Sequence, residues 1–105
     1  MMKQIILDEL NETLGDFLVK NKDVVYSAIL DSIESRYLEE NLSQIDILEI
    51  NSQGEKSYVT LSRKDWIRSL NQAIEFFQKP TVEEYEKCGR CLKIANYLQK
   101  VNKID

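Results

Sequence analysis

Apolar side chains recur every three or four residues in the first forty positions of the chain. The first stripe consists of Leu7, Leu10, Leu14, Phe17 and Leu18. This spacing is typical of a helix with one buried face, and it predicts a helix from about Lys3 to Lys20. Asn21-Lys22-Asp23 then offers a turn and a new N-cap, and a second stripe predicts a helix from Asp23 to Glu40. The pattern therefore predicts a helical hairpin over residues 3–40.

The hydrophobic period changes to two between residues 45 and 61. Ile45–Ile50 is short and rich in β-branched residues, and Ser57–Leu61 alternates, with Val59 and Leu61 on one face. The polar stretch between them contains Gly54, which suits a turn position with positive φ. The pattern predicts a β-hairpin over residues 45–61. A lone hairpin is marginally stable, so we expect it to pack on the helices or to gain a partner strand.

Helical spacing returns after the hairpin and predicts a second helical pair over residues 63–101. The first helix of this pair should end near Gln78, because Pro80 disfavours helical geometry at Lys79. Thr81-Val82-Glu83-Glu84 matches a capping box and predicts the start of the last helix. The expected order is ααββαα, an α+β fold with the hairpin packed on the helices.

The 105 residues suit one domain, residues 1–105, with a single core. No apolar run approaches the ~20 residues of a membrane span. The N-terminal apolar stretch is interrupted by Asp8 and Glu9, so we do not interpret it as a signal peptide. The sequence thus predicts a cytoplasmic protein without membrane association.

Charge is distributed unevenly along the chain. Residues 1–55 contain twelve acidic and four basic residues, for a net charge of −8, whereas residues 56–105 contain six acidic and ten basic residues, for a net charge of +4. One interpretation is that the two halves neutralise each other across the fold. The other is that the acidic half forms a surface that attracts a basic partner and rejects wrong ones.

The second interpretation predicts a non-enzymatic protein-binding module with an acidic surface. Small acidic proteins that neutralise basic toxins or nucleases, and phage proteins that mimic DNA, use this electrostatic principle. We therefore predict an immunity or inhibitor protein whose partner is a basic protein. We predict no cofactor for it, and the sequence does not define its oligomeric state. The predicted partner-binding residues are Asp8, Glu12, Asp16, Asp31, Glu34, Asp46 and Tyr58. Tyr58 lies on the strand face opposite Val59 and Leu61, so it belongs either to a second packing face or to an interface. It is included in this set because exposed aromatic residues are frequent binding hot spots.

The alternative function uses the basic half of the chain. Six basic residues of the last two predicted helices could hold phosphates. Arg63, Lys64 and Arg68 open the first of these helices, and Lys87, Arg90 and Lys93 line the second. This would suit a small nucleic-acid-associated or regulatory protein. Acidic residues share the last helix, and the chain as a whole has a net charge of −4, so nucleic-acid binding is the less favoured prediction.

Cys88-Gly89-Arg90-Cys91 is the sequence feature closest to a catalytic motif. Redox motifs of this spacing start a helix, whereas here the predicted helix begins two turns earlier, so both thiols should lie near its apolar stripe. The chain has no His, so a Cys-His pair is excluded and a metal site would need carboxylates or a second chain. We interpret the pair as packing residues beside Gly89, which would let another helix approach, and keep thiol or metal chemistry as the enzymatic alternative.

Overall fold

A computed structural model describes residues 3–6 and 13–102 of the chain. Its elements, in chain order, are β1 (Lys3–Ile6), α1 (Leu14–Lys20), α2 (Lys22–Arg36), β2 (Gln44–Ser52), β3 (Glu55–Ser62), α3 (Trp66–Phe77) and α4 (Tyr85–Asn102). A short 3-10 turn, Arg63–Asp65, leads into α3. The fold is α+β, as predicted, but the order within the described residues is βααββαα and not ααββαα.

The N-terminal segment corrects the predicted helix over residues 3–20. Residues 3–6 form β1, which pairs in parallel with β2 and places Ile5 beside Ile50 in the core. Two consecutive β-branched isoleucines suit an extended strand better than the first turn of a helix. The helix begins only at Leu14, where the Thr13 hydroxyl accepts a 3.2 Å hydrogen bond from the Asp16 backbone N–H. The first part of the predicted stripe, Leu7 and Leu10, lies outside the described residues.

The predicted hairpin is present, and it gains the partner strand that its marginal stability requires. The sheet order is β1-β2-β3, with β2 parallel to β1 and antiparallel to β3. Gln53 and Gly54 connect β2 to β3 with φ values of 51° and 80°. Two successive positive φ angles define a type I′ turn, whose twist matches that of the flanking strands. The two predicted strands are therefore two of the three strands of a mixed sheet.

A β-bulge interrupts the β2–β3 pairing at Ile47. Asp46 pairs with Thr60 and Leu48 pairs with Val59, so Ile47 has no counterpart on β3. Both Ile47 and Leu48 are buried. The bulge shifts the alternation by one residue, which places the side chains of Asp46 and Glu49 on the same face of the sheet although they are three residues apart.

The core lies between one face of this sheet and the helices. α2 packs on β2, α3 packs on both α2 and α4, and the ring of Trp66 is fully buried among them. Its indole N–H donates a 3.2 Å hydrogen bond to the Leu61 carbonyl, which ties the start of α3 to the end of β3. The other large, fully buried side chains are Leu30, Ile33, Leu48, Leu70, Phe77, Cys91 and Ile94.

The helix boundaries depart from the predictions at two places. α2 ends at Arg36 instead of Glu40, and α4 starts at Tyr85 instead of Thr81. The capping-box prediction at Thr81 is wrong because Glu83 has a φ of 50°, which is incompatible with the first turn of a right-handed helix. The backbone N–H groups of Val82 and Glu83 instead donate to the Lys79 carbonyl and form the turn between α3 and α4. The predicted end of α3 near Gln78 is confirmed.

Among the residues that the structure describes, no helix combines the length and the apolar character needed to span a bilayer.

Candidate functional site

The acidic residues of α2 face the basic residues of α4 in a contact that we call the α2–α4 seam (Asp23, Ser27, Asp31 and Glu34 with Lys87 and Arg90). The Arg90 guanidinium donates through Nε to Glu34 Oε2 at 3.0 Å and through Nη2 to Glu34 Oε1 at 2.7 Å. The same Nη2 donates to Asp31 Oδ1 at 2.9 Å. Two of the predicted partner-binding carboxylates are thus bound to a single arginine of the same chain.

Electrostatics in the seam follow from this geometry. The hydrogen bonds from Arg90 lower the pKa of the Glu34 carboxyl, although partial burial opposes the effect. The hydrogen bond with Glu34 correspondingly raises the pKa of Arg90. Bidentate guanidinium–carboxylate geometry is among the strongest charged pairings in proteins. Here it fastens α4 to α2, in agreement with the interpretation that the two halves of the chain neutralise each other.

Lys87 extends the seam by one turn of α4. Its Nζ donates a 3.0 Å hydrogen bond to Ser27 Oγ and lies 4.0 Å from Asp23 Oδ1. The same ammonium lies 5.4 Å from the ring centroid of Phe77, within the range of a cation–π contact. Lys87 therefore stabilises the packing of α2, α3 and α4 on one another.

The two thiols lie on the buried side of α4 and are packing residues in the described structure. Cys91 is completely buried, and burial raises the pKa of its thiol to about 11. Cys88 is half-buried, burial also raises the pKa of its thiol, and its S–H donates to the Ile74 carbonyl at 3.7 Å. A thiol with a raised pKa is a poor nucleophile near neutral pH, because the thiolate is the reactive form.

The second group of acidic residues lies on the face of the sheet that the helices leave uncovered, which we call the open sheet face. Pairing register places these side chains together on it: Gln4 and Ile6 from β1, Asp46, Glu49 and Asn51 from β2, and Lys56, Tyr58 and Thr60 from β3. Asp46, Tyr58 and Thr60 are exposed, whereas Leu48 and Val59 point to the opposite, core-facing side. This face has two carboxylates, one aromatic ring and one basic residue at the hairpin end.

Tyr58 and Glu49 form the centre of the open sheet face. The two residues lie directly across from each other on neighbouring strands, and the Tyr58 hydroxyl donates a 3.4 Å hydrogen bond to Glu49 Oε1. The Tyr58 side chain remains 47% exposed. Neither Asp46 nor Glu49 forms an ion pair with any residue in the described ranges. Arg36, which pairs with Glu39 at 2.6 Å, is close enough for Asp46 to add a minor raising of the Arg36 pKa, after the larger effect of Glu39. Both Asp46 and Glu49 could still accept a hydrogen bond from a cation supplied by another molecule.

The remaining predicted site residues are not brought together with this centre. Asp16 is exposed in the first turn of α1, where its backbone N–H serves the Thr13 cap. Asp8 and Glu12 lie outside the described residues. The structure thus unites Asp46 and Tyr58 on one face and groups Asp31 and Glu34 in the seam, so the predicted acidic surface divides into two separate regions.

Sequence reasoning missed Glu49 as a member of the site. In a regular strand, Asp46 and Glu49 would point to opposite faces, and only the bulge at Ile47 unites them. The signal was present in the sequence, because the adjacent apolar residues Ile47 and Leu48 break the alternation of the strand. Two consecutive buried residues in an otherwise alternating strand are consistent with a bulge.

The basic residues of the alternative function are largely engaged within the fold. Arg63 donates from Nη1 to the carbonyls of Glu39 at 2.7 Å and Leu42 at 3.1 Å, and its guanidinium lies 4.8 Å from the Trp66 ring centroid. Arg68 pairs with Asp65 at 3.0 Å. Together with Arg90 and Lys87 in the seam, four of the six predicted phosphate-binding residues have intramolecular partners.

Within residues 3–6 and 13–102, no cluster of three or more Cys, Asp or Glu residues is arranged to hold a metal ion. Comparisons with protein-family models, with curated proteins and with solved structures found no match, so the interpretation of the site rests on its own geometry.

Proposed function

We propose that this chain is a non-enzymatic protein-binding module that engages a basic partner through the open sheet face. The observation that supports the proposal is the division of the sheet: one face is buried under the helices, while the other presents Asp46, Glu49 and Tyr58 to solvent. An uncovered sheet face with carboxylates beside an exposed aromatic ring offers charge complementarity and an anchoring side chain in one place.

The chemistry of this face favours a partner that supplies Arg or Lys side chains. An arginine placed over the Tyr58 ring would gain a cation–π contact, and its guanidinium could donate to the adjacent Glu49 carboxylate. Asp46, on the same face, would attract a second cation. Lys56 lies at the hairpin end and would repel a cation there, so the basic side chains of the partner should concentrate toward Asp46 and Glu49.

The acidic residues of α2, which the sequence predicts to bind the partner, have a different role in this proposal. Asp31 and Glu34 already accept hydrogen bonds from Arg90 and share its positive charge, so a cation of a partner would gain less from them than from a carboxylate without an ion pair. We therefore assign these two residues to the stability of the fold. The proposed binding residues from the predicted set are Asp46 and Tyr58, to which the open sheet face adds Glu49.

Inhibition of a basic toxin or nuclease is the specific activity that we propose for such a module. A stoichiometric inhibitor needs a preformed surface of the correct charge and no catalytic group, and fast electrostatically steered binding is an advantage for it. Nucleic-acid binding through α3 and α4 is less well supported, because Arg63, Arg68, Lys87 and Arg90 are engaged by partners within the chain.

The proposal is tested by affinity capture from the source cells, followed by mass spectrometry, with two matched double variants. Asp46→Lys plus Glu49→Lys reverses the open sheet face, while Asp16→Lys plus Glu75→Lys makes the same change of charge at exposed helical positions. We expect the unmodified chain and the helical variant to retain a basic protein that the sheet variant loses. Purified partner, tested for toxin or nuclease activity with and without the chain, then decides whether binding inhibits it.

Two results would contradict the proposal. One is that all three forms retain the same basic protein equally well, and the other is that no basic protein is retained by the unmodified chain. Thermal unfolding of each variant shows whether a loss of binding arises from a loss of folding.

A further inference from the structure

The outward side of α4 presents apolar side chains that nothing in the described residues covers. Tyr85 is 61% exposed and Leu92 is 53% exposed, and they lie seven residues apart, two turns along the same side of the helix. Gly89 lies between them, and a Cβ atom added there would meet no atom within 4 Å. We call the side formed by Tyr85, Glu86, Gly89, Leu92 and Lys93 the outer α4 face.

Gly89 is a costly residue at this position unless something approaches it. Glycine in the interior of a helix destabilises it relative to alanine, and α4 continues for more than three turns beyond this residue. The sequence predicts that Gly89 lets another helix pack closely, but in the described structure Gly89 is exposed and no helix of the chain lies against it. A helix from another molecule would fill the open space beside it.

Charges on the outer α4 face are arranged for self-complementarity. Glu86 and Lys93 are both exposed, are seven residues apart and form no ion pair with any residue of the described ranges. At a rise of 1.5 Å per residue, they are about 10 Å apart along the helix, too far to pair with each other. Lys93 is close enough to Glu34 to contribute a small lowering of the pKa of that carboxyl, after the larger effect of Arg90, but it remains available to a closer carboxylate.

The positions of these four residues around Gly89 specify which partner fits. Tyr85 lies four residues before Gly89 and Leu92 three after it, while Glu86 lies three before and Lys93 four after. If a second copy of α4 crosses antiparallel at Gly89, a two-fold axis brings Tyr85 beside the partner's Leu92 and Glu86 beside the partner's Lys93, each twice. The two apolar contacts lie on one flank of the crossing and the two ion pairs on the other, because a two-fold axis keeps each flank on its own side.

We infer that a second copy of this chain docks on the outer α4 face and forms an antiparallel, two-fold symmetric homodimer centred on Gly89. The interface is separate from the open sheet face, so the inference stands independently of the proposed function. It gives the chain a second copy of that face in one assembly, which would increase the apparent affinity for a partner that presents two basic sites.

The inference is tested by sedimentation velocity over a concentration series that reaches about 1 mM, because interfaces below ~1,200 Å² are often transient. We expect the unmodified chain to shift from monomer to dimer. Glu86→Lys or Lys93→Glu alone converts both ion pairs into like-charge pairs and should weaken dimerisation about tenfold. The double swap, Glu86→Lys with Lys93→Glu, recreates both pairs with opposite polarity and should restore it.

The chain offers matched controls for each charge reversal. Glu75→Lys on α3 and Lys64→Glu before α3 make the same changes of charge at exposed positions away from the outer α4 face, and we expect them to leave dimerisation within twofold of the unmodified chain. Mixing the two single reversals at equal concentration should also restore a dimer, since each supplies the charges that the other lacks. Leu92→Asp should abolish dimerisation while circular dichroism confirms that the variant is folded.

Gly89→Ala separates an interface role from a role in folding. The substitution should raise the melting temperature of the protein, because alanine favours the helix and its methyl group meets no neighbour within the chain. It should nevertheless weaken the dimer, because that methyl group would lie at the crossing point of the two helices. A chain that stays monomeric to about 1 mM overturns the inference. The inference is also overturned if Glu86→Lys and Lys93→Glu each leave the dimer intact, or if the double swap fails to restore dimerisation.

Discussion

The α2–α4 seam and the open sheet face contain the same kind of side chain in opposite situations. In the seam, Asp31 and Glu34 share the single positive charge of Arg90 at distances of 2.7 to 3.0 Å. On the open sheet face, Asp46 and Glu49 have no ion-pair partner within the described ranges, although one of them accepts a hydrogen bond from Tyr58. A charge in the sequence therefore becomes a binding feature or a structural one according to what the fold places opposite it.

The difference shows that the net charge of a chain segment does not predict how much of that charge remains available for binding on the surface. The first 55 residues have a net charge of −8, but the helices of the basic half pack directly against α2 and neutralise part of it. On the open sheet face, neither Asp46 nor Glu49 forms an ion pair within residues 3–6 and 13–102. The open sheet face has fewer carboxylates than the helices, but they have no ion-pair partner in the described residues, which is why the proposed function relies on the sheet.

The largest change in the free energy of unfolding that we predict comes from Cys91, whose buried thiol lies next to Arg90 on α4. Cys91→Ser should lower the free energy of unfolding by about 1–3 kcal/mol, because the hydroxyl enters a fully buried apolar environment. Cys88→Ser should cost less, since this side chain is half-buried and a hydroxyl could keep the hydrogen bond to Ile74. Urea unfolding of both variants measures the difference.

The outcome also decides between packing and chemistry for the Cys pair. If the captured partner and its inhibition persist in both serine variants, the thiols have a packing role. Equal destabilisation by the two substitutions would contradict the burial difference between Cys88 and Cys91.

An effect of intermediate size is expected from the pH dependence of the seam. The folded-state pKa of Glu34 is lowered from 4.5 by its hydrogen bonds with Arg90, so its stabilising contribution is present above that pH and is lost as the pH falls through the lowered value. Glu34→Gln should therefore be less stable than the unmodified chain at pH 7, by less than about 1 kcal/mol for this partly exposed pair. The two proteins should converge as the pH falls below 4.5, the ordinary pKa of a glutamate carboxyl, and through the lowered pKa of Glu34.

Thermal unfolding across this pH range tests the prediction, with Glu75→Gln as the control. Glu75 is an exposed carboxylate with no ion-pair partner in the described part of the chain, so its variant should follow the unmodified protein throughout. A difference between Glu34→Gln and the unmodified chain that does not shrink as the pH is lowered below 4.5 would show that Arg90 does not stabilise the ionised carboxylate.

Local patterns predicted much of this fold. The positive φ of Gly54, the placement of Tyr58 on the strand face opposite Val59, and the end of α3 before Pro80 follow from turn chemistry, alternation and backbone restriction. Each of these features is determined by residues within a few positions of one another, which is the range over which sequence patterns are informative.

The features that sequence patterns did not predict depend on residues far apart in the chain. β1 forms because Lys3–Ile6 finds an open edge of β2 more than forty residues later. The pairing of Glu34 with Arg90 joins residues 56 positions apart, and helical periodicity alone cannot indicate which charged faces meet. At Thr81, a valid local capping signal was overridden by the turn that reverses the chain between α3 and α4.

The division between the seam and the open sheet face is tested most directly by urea unfolding of two double variants that each remove two carboxylates. Asp31→Asn plus Glu34→Gln should lower the free energy of unfolding by about 1–2 kcal/mol, because Arg90 loses both counter-charges. Asp46→Asn plus Glu49→Gln should change it by less than about 0.5 kcal/mol. Equal losses in the two variants, or a larger loss on the sheet, would contradict the assignment of one pair to the fold and the other to binding.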